Sequence, residues 1–186
     1  MKKIKLFAIV GKSGAGKDTI LRETIEAAPE VFHEIISCTT RPPRDNEIDG
    51  VNYYFITPEI FRFLKDSGEM LEWAKFNGWI YGTEKAALNP EKVNIGVFNP
   101  EGIISLMNRD DIDLTIIYII VGNKIRMLRQ LNREINPDVK EIVRRFNTDE
   151  HDFVWMDKFA HQIFTNETEL DKKMIVDNLV YLGKLG

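Results

Sequence analysis

A three-layer α/β fold around a parallel sheet is what this 186-residue sequence predicts, and three observations predict it. Short apolar runs alternate with helical patterns, so that consecutive strands lie parallel and are joined by right-handed crossovers. The run Leu114–Val121 is almost unbroken, as in a strand buried on both faces. A glycine-rich turn stands directly between the first apolar run and the first helical pattern.

Taken in order, residues 4–10 predict a buried strand, and 17–28 a helix with Ile20, Leu21, Thr24, Ile25 and Ala28 on one side. His33–Cys38 predicts a second strand, followed by strands at Val93–Phe98, Leu114–Val121 and a last short one near 161–165. Helical patterns cover 101–108, 123–135, 138–156 and 167–182. Residues 39–90 break the rhythm with Pro42-Pro43, an Asp49-Gly50 turn, the aromatic run Tyr53-Tyr54-Phe55, a helical piece at 58–67, the run Met70–Phe76 and a turn at Asn77-Gly78. That stretch reads as a small, partly antiparallel insert on one side of the core.

Composition bounds the function. Hydrophobic residues make up 44% and charged residues 29% of the chain, which excludes global disorder and a membrane-spanning protein. A net charge of −4 argues against broad nucleic-acid binding. A lone cysteine, Cys38, excludes an internal disulfide and a cysteine-rich zinc site, and reads as a small buried side chain. The basic opening of the chain carries an apolar run cut short by Gly11 and Lys12, too short for a leader, so a soluble, reducing compartment is expected.

The motif that carries chemistry is Gly11-Lys12-Ser13-Gly14-Ala15-Gly16-Lys17. Its glycines let successive backbone N–H groups turn inward as a nest, and the following helix adds the positive end of its dipole, where a polyphosphate sits. Lys17 reaches the β- and γ-phosphates as a point charge. Asp18 stands where a serine or threonine would offer Mg²⁺ a hydroxyl, with Thr19 behind it. Asp18 reads either as a metal ligand or as an acid favoured by the helix N-terminus.

The insert holds a second constellation. Arg41 and Arg44 lie three apart on a proline-stiffened segment, and arginine forks match phosphate oxygens. Tyr53 adds a hydroxyl, while Glu72, Tyr81 and Thr83 flank the Asn77-Gly78 turn. A carboxylate suits the N1–H and N2–H₂ edge of guanine. Singly, each reads equally as solvated charge, core ring or surface acid. Farther on, Arg126, Arg129 and Arg133 fall at i, i+3 and i+7. The next helix predicts an apolar stripe of Val139, Ile142, Val143 and Phe146, flanked by Arg144 and Arg145. These arginines read as a solvated face paired with glutamates, or as groups stabilising a transferring phosphoryl. His33, His151 and His161 read as structural or surface.

Together these segments closely resemble the guanylate kinase family. The resemblance is carried by Gly11–Thr19, by Ser37-Cys38-Thr39-Thr40-Arg41-Pro42-Pro43-Arg44, by Asp49-Gly50-Val51-Asn52-Tyr53-Tyr54-Phe55, by Glu69–Ala74 and by Asn77–Thr83, in that order. It implies a P-loop NTPase core at 1–38 and 84–186, with a small mixed α+β NMP-binding insert at 39–83 and a helical lid at about 124–148. It implies a cytoplasmic, Mg²⁺-dependent enzyme, a monomer or homodimer, that moves the γ-phosphoryl of ATP onto GMP or dGMP, with no nucleic-acid or membrane partner. Gly11, Ser13, Gly14, Ala15, Gly16, Lys17, Asp18 and Thr19 would bind ATP, and Asn166 would approach its adenine. Arg41, Arg44, Tyr53 and Tyr81 would hold the acceptor's phosphate, and Ser37, Glu72 and Thr83 would read its base. Lys17, Arg129, Arg133 and Arg145 would be catalytic.

The pattern is broken at Val97 and Asn99, where the family carries acids. The metal's protein ligand is therefore expected at Asp18. Gly16-Lys17-Asp18-Thr19 also resembles viral deoxynucleoside monophosphate kinases and ribosyl bisphosphate kinases, so another acceptor is an alternative. A noncatalytic guanylate kinase-like binding module is a further one.

Overall fold

The computed structural model describes residues 3–43, 47–76, 78–133 and 135–185. Its elements run β1 (Ile4–Val10), α1 (Lys17–Ala27), β2 (Phe32–Glu34), β3 (Cys38–Thr39), β4 (Tyr54–Phe55), α2 (Pro58–Asp66), β5 (Met70–Phe76), β6 (Trp79–Glu84), β7 (Val93–Val97), α3 (Pro100–Met107), β8 (Ile112–Ile120), α4 (Asn123–Leu131), α5 (Val139–Asp152), α6 (Met156–Phe159), β9 (Gln162–Thr165) and α7 (Glu169–Lys184). Five strands form one parallel sheet in the order β2-β7-β1-β8-β9, which puts β1 at its centre.

Strand periodicity divides the core into two layers. On β1 and β8, Phe7, Ile9, Ile117 and Ile119 point one way and pack with Ile20 and Leu21 of α1 and Ile175 and Leu179 of α7. Leu6, Ala8, Val10, Ile116 and Tyr118 point the other way and pack with Ile103 and Leu106 of α3, Met156 of α6 and Leu71 of β5. This is the predicted three-layer α/β arrangement, and the double-sided burial of β8 is why Leu114–Val121 reads as a continuous apolar run. No helix among the described residues is long and apolar enough to cross a membrane.

A second, four-stranded sheet runs β4-β3-β6-β5. β3 pairs with β4 in parallel, whereas β6 is antiparallel to both β3 and β5. Its small core is Cys38, Phe61 and Met70, with Phe61 supplied by α2. Burial pushes the Cys38 thiol up to about 12, as befits an inert packing group.

Three sequence expectations are corrected. The predicted strand His33–Cys38 is two strands in two sheets: Ile35 donates its amide to Ile95 in the first sheet, and Cys38 pairs with Gly82 in the second. An apolar run has no mark for the point at which its partner changes. The predicted helix 138–156 ends at Asp152, where Phe153 turns inward to stack on Tyr118 before α6 begins. The pattern at 123–135 is helical only to Leu131, so Arg133 lies past its end.

Caps fix the remaining boundaries. Asn99 accepts from the Gly102 amide and is followed by Pro100 in the first turn, which starts α3. Thr168 and Asp171 form a capping box at α7.

Candidate functional site

The loop from Gly11 to Lys17 leaves the C-terminal end of the central strand and enters α1. Gly14 and Gly16 have φ of 82° and 85°, left-handed values that side chains disfavour. Gly16 caps α1 without a side-chain bond, so the first-turn amides open onto the loop.

Every main-chain carbonyl from Gly11 to Gly16 is taken by a donor. Lys17 Nζ donates to the Gly11 oxygen at 2.7 Å and to the Lys12 oxygen at 3.4 Å. Ser13 oxygen accepts from Arg126 Nε at 2.9 Å and from Gln130 Nε2 at 3.4 Å. The Gly14 oxygen accepts from Arg129, the Ala15 oxygen from Asn166 at 2.8 Å, and the Gly16 oxygen from the Ile20 amide of α1. The Ser13 amide is held by Asp149 and the Ala15 amide by the Lys12 oxygen, which leaves the Gly14 amide and those of the first turn of α1 as the loop's donors for an anion. Burial lowers the Lys17 pKa, with Asp18 and Asp149 opposing the shift and Arg126 and Arg133 adding to it.

The second constellation lies on the mixed sheet. Glu72 of β5 is 7% exposed and bonds to Thr83 of β6, whose hydroxyl lies 3.1 Å from Ser37 Oγ. Burial pushes the Glu72 carboxyl up to about 7, against the pull of Thr83. Gly102, in the first turn of α3, borders the same carboxylate: a Cβ there would stand 2.7 Å from Glu72 Oε2. Nearby, the Arg41 guanidinium is paired with Glu47 at 2.8 Å and stands over the Tyr53 and Phe55 rings. Tyr53 and Tyr81 meet edge to face. Arg41 Nε is buried without a hydrogen-bond partner among the described residues, a donor in want of an acceptor.

Asp18 couples the two constellations electrostatically. Burial raises the Tyr53 hydroxyl to about 12, and the next contribution is the Asp18 charge, so this exposed carboxylate of α1 lies within the field of the acceptor-side ring.

The structure thus gathers Gly11–Thr19, Arg129 and Asn166 around the loop, and Ser37, Arg41, Tyr53, Glu72, Tyr81 and Thr83 on the insert. Arg44 and Asn77 lie outside the described residues. Arg133 is exposed yet close enough to Lys17 to lower its pKa. Arg144 and Arg145 both bond Glu141 one turn back, which holds that carboxyl at about 2. Asn166 is 3% exposed and turned onto the loop carbonyl. Asn99 has its side chain engaged as a helix cap.

Arg126 departs from the expected open face shared with Arg129 and Arg133. It is 1% exposed and ion-paired to Asp149 of α5, and Asp149 also accepts from the Ser13 amide at 2.8 Å. The predicted stripe on α5 is correspondingly narrower: Ile142 is buried and Phe146 half-buried, while Val139 and Val143 are exposed. The readable signal for Asp149 is its place three residues beyond Phe146, an acid continuing an apolar face. Glu47 and Gly102 had no such mark.

The guanylate kinase family model matches residues 3–176. The chain is similar to the guanylate kinase of Thermotoga maritima, 29% identical over 176 residues that cover 92% of this chain and 84% of that one. It is similar to that of Chelativorans sp., 31% identical over 157 residues that cover 82% and 72%. With the guanylate kinase of Chlamydia felis it shares 39% identity over 109 residues, about half of either chain. The crystal structure of guanylate kinase from Anaplasma phagocytophilum superposes with a TM-score of 0.70, covering 99% of this chain and 87% of that one at 22% identity, a likeness of fold.

Replacing Gly11 tests the tightness of the loop's exit from β1. A Cβ there would stand 2.6 Å from the main-chain oxygen of Ile119, which the parallel sheet holds in place. Overpacking of this kind costs about 1–3 kcal/mol. Gly11→Ala should lower the urea midpoint accordingly; an unchanged midpoint contradicts the packing described.

Proposed function

The chain belongs to the guanylate kinase family, and we propose that it transfers the γ-phosphoryl group of ATP to GMP, with the glycine loop as donor site and the insert as acceptor site. The observation that carries this reading is the loop itself, its carbonyls each engaged by a donor and two of its glycines at positive φ ahead of the uncapped first turn of α1. Relatives named as guanylate kinases favour GMP over the other acceptors and over a noncatalytic module.

On this reading 1–38 and 84–186 form the core, 39–83 the acceptor subdomain and about 124–148 the lid. The amides of Gly14 and of Gly16 to Thr19 and the α1 dipole take the donor's phosphates, while the Ser13 amide stays on Asp149 and the Ala15 amide on the Lys12 oxygen. Lys17 exchanges its bonds to the loop carbonyls for phosphate oxygens. Arg41, Arg44, Tyr53 and Tyr81 hold the acceptor's phosphate, and the orphan Nε of Arg41 gains its acceptor there. Ser37, Glu72 and Thr83 read guanine. Arg129, Arg133 and Arg145 swing in to neutralise the charge that spreads over the transferring group, Arg145 leaving Glu141 to do so. Asn166 stands between the loop and the adenine side of the donor. Catalysis is positioning and charge neutralisation, with no general base.

Among the described residues no cluster of three or more acids, histidines or cysteines could cage a metal ion. Mg²⁺ asks for less, one or two carboxylates with phosphate oxygens and waters, and the exposed Asp18 beside the loop fits that demand. When bound, Mg²⁺ supplies neutralisation of the β- and γ-oxygens. The cytoplasm, where nucleotides are held, is the compartment this chemistry requires.

A panel of nucleoside and ribosyl monophosphates in a coupled ADP-release assay tests the assignment. GMP, with dGMP beside it, should be the preferred acceptor, and Lys17→Ala should lower kcat by about 10²–10³-fold while the chain stays folded. Preference for another acceptor, or an active alanine variant, refutes it.

Glu72 makes recognition depend on pH. Only its carboxylate accepts both guanine donors, and burial moves its pKa from an ordinary 4.5 to about 7. KM for GMP should therefore fall as pH rises from 6 to 8, with KM for ATP nearly flat. Between pH 4.5 and 7 the folded chain holds a proton that the unfolded chain has released, so stability falls with rising pH in that window. Glu72→Gln should raise KM for GMP about tenfold or more by leaving a guanine donor unpaired, and abolish the pH trend. Equal loss for ATP and GMP counts against Glu72 as the base reader.

The metal's ligand is separable from the helix cap. Asp18→Ala should raise the Mg²⁺ concentration for half-maximal rate about tenfold, as expected when a cation loses its protein carboxylate. Asn99→Ala should leave that concentration unchanged and cost about 1 kcal/mol of stability through the lost cap. Indifference of the metal dependence to both changes removes Asp18 from this role.

A further inference from the structure

We propose that Arg126 and Asp149 are positioning residues of the phosphate loop, an ion pair that grips Ser13 by both its N–H and its C=O and holds the loop open before nucleotide arrives. The inference rests on reading that loop as the donor-phosphate site, and it assigns work to two side chains that the transfer reaction leaves unused.

The geometry is a closed ring. Asp149 Oδ2 accepts from the Ser13 amide at 2.8 Å and from Arg126 NH2, while Arg126 Nε donates to the Ser13 carbonyl at 2.9 Å. One residue's N–H and C=O are thereby held by opposite charges from two helices, α4 and α5. The guanidinium is fixed in turn by Asn123 Oδ1 at 2.9 Å and by the Phe146 ring, 4.3 Å away. The backbone of Arg126 also closes on Gly14, where a Cβ would stand 2.7 Å from the Arg126 carbonyl oxygen.

Arg126 is not a phosphate ligand in this arrangement. Its charge is neutralised by Asp149 and enclosed, with 1% of the residue exposed. Stability is a weak reason for such a pair, since well-packed apolar replacements are often neutral or stabilising. Its placement on Ser13 supplies the better reason. The next residues include two glycines with positive φ, each free to take other conformations. Fixing the peptide before them removes those alternatives from the nucleotide-free chain, so that binding does not bear the ordering cost.

The test is ADP and GMP binding by calorimetry on the whole native chain and three variants of it. Arg126→Met with Asp149→Leu removes both charges and leaves no buried ion unpaired. Its ADP Kd should rise about tenfold with the GMP Kd unchanged, and its melting temperature should stay at or above the native value. Arg126→Gln, which withdraws the Nε donor but leaves Asp149 on the amide, should weaken ADP about threefold. Asp149→Asn, which keeps an acceptor for Ser13, should restore most of the ADP affinity lost in the double variant.

Native ADP affinity in the double variant, or parallel loss of ADP and GMP, overturns the proposal. Should the double variant not fold, unaltered ADP binding by Arg126→Gln overturns it equally. A native chain that binds no ADP would instead remove the phosphate reading of the loop, before any variant is compared.

Discussion

A loop that binds anions must present its amide dipoles, and it does so here because its carbonyls are engaged elsewhere. Lys17, Arg126, Gln130, Arg129 and Asn166 come from two helices and a strand end to hold oxygens from Gly11 to Ala15. The sheet order matters for the same reason. With β1 central and parallel to both neighbours, the loop emerges where the helix after β8 and the end of β9 can reach it. Fold and site are joined through these hydrogen bonds.

What was legible in the sequence is what local chemistry imposes. Gly11, Gly14, Gly16 and Lys17 mark the loop because a tight anion nest admits few other residues, and the alternating faces of β1 and β8 mark the two-sided core. The second sheet was visible as a break in rhythm and in the Met70–Phe76 run. The end of β2 was not, because Ile35 and Cys38 are equally apolar while serving different sheets. Arg126 was not either: periodicity places it beside Arg129, and only the arrival of Asp149, 23 residues later, turns one inward and leaves the other at the loop.

Asn99 and Asn166 show a different kind of illegibility. Asn166 follows β9, where a polar side chain reads naturally as a ligand contact, and Asn99 follows β7, where the resemblance leads to the expectation of an acid. In the structure each is engaged with backbone, Asn99 with the first turn of α3 and Asn166 with the Ala15 carbonyl. The cap at Asn99 has a consequence for the acceptor side. It fixes the first turn of α3 and with it Gly102, whose lack of a side chain leaves room for the Glu72 carboxylate. The raised pKa of Glu72 follows from that enclosure, since α3 and the mixed sheet together exclude the water that would solvate its charge.

Asp18 remains the point of electrostatic conflict. It is an exposed carboxylate on the first turn of α1, close enough to Lys17 to oppose its deprotonation and to Tyr53 to hold the hydroxyl neutral. On the proposed reading, one polyphosphate lies on one side of it and a monophosphate on the other. A negative charge there repels both substrates unless a cation stands between them. Lys17 alone does not resolve this, because one ammonium cannot offset the carboxylate and also neutralise the donor's oxygens. A divalent cation drawn to Asp18 reverses the sign of the problem: the same carboxylate that repels free phosphate then gives the metal a protein anchor. On that reading, with Asn99 capping α3 and Val97 apolar, Asp18 on the first turn of α1 is the described carboxylate that would anchor the ion beside the donor phosphates.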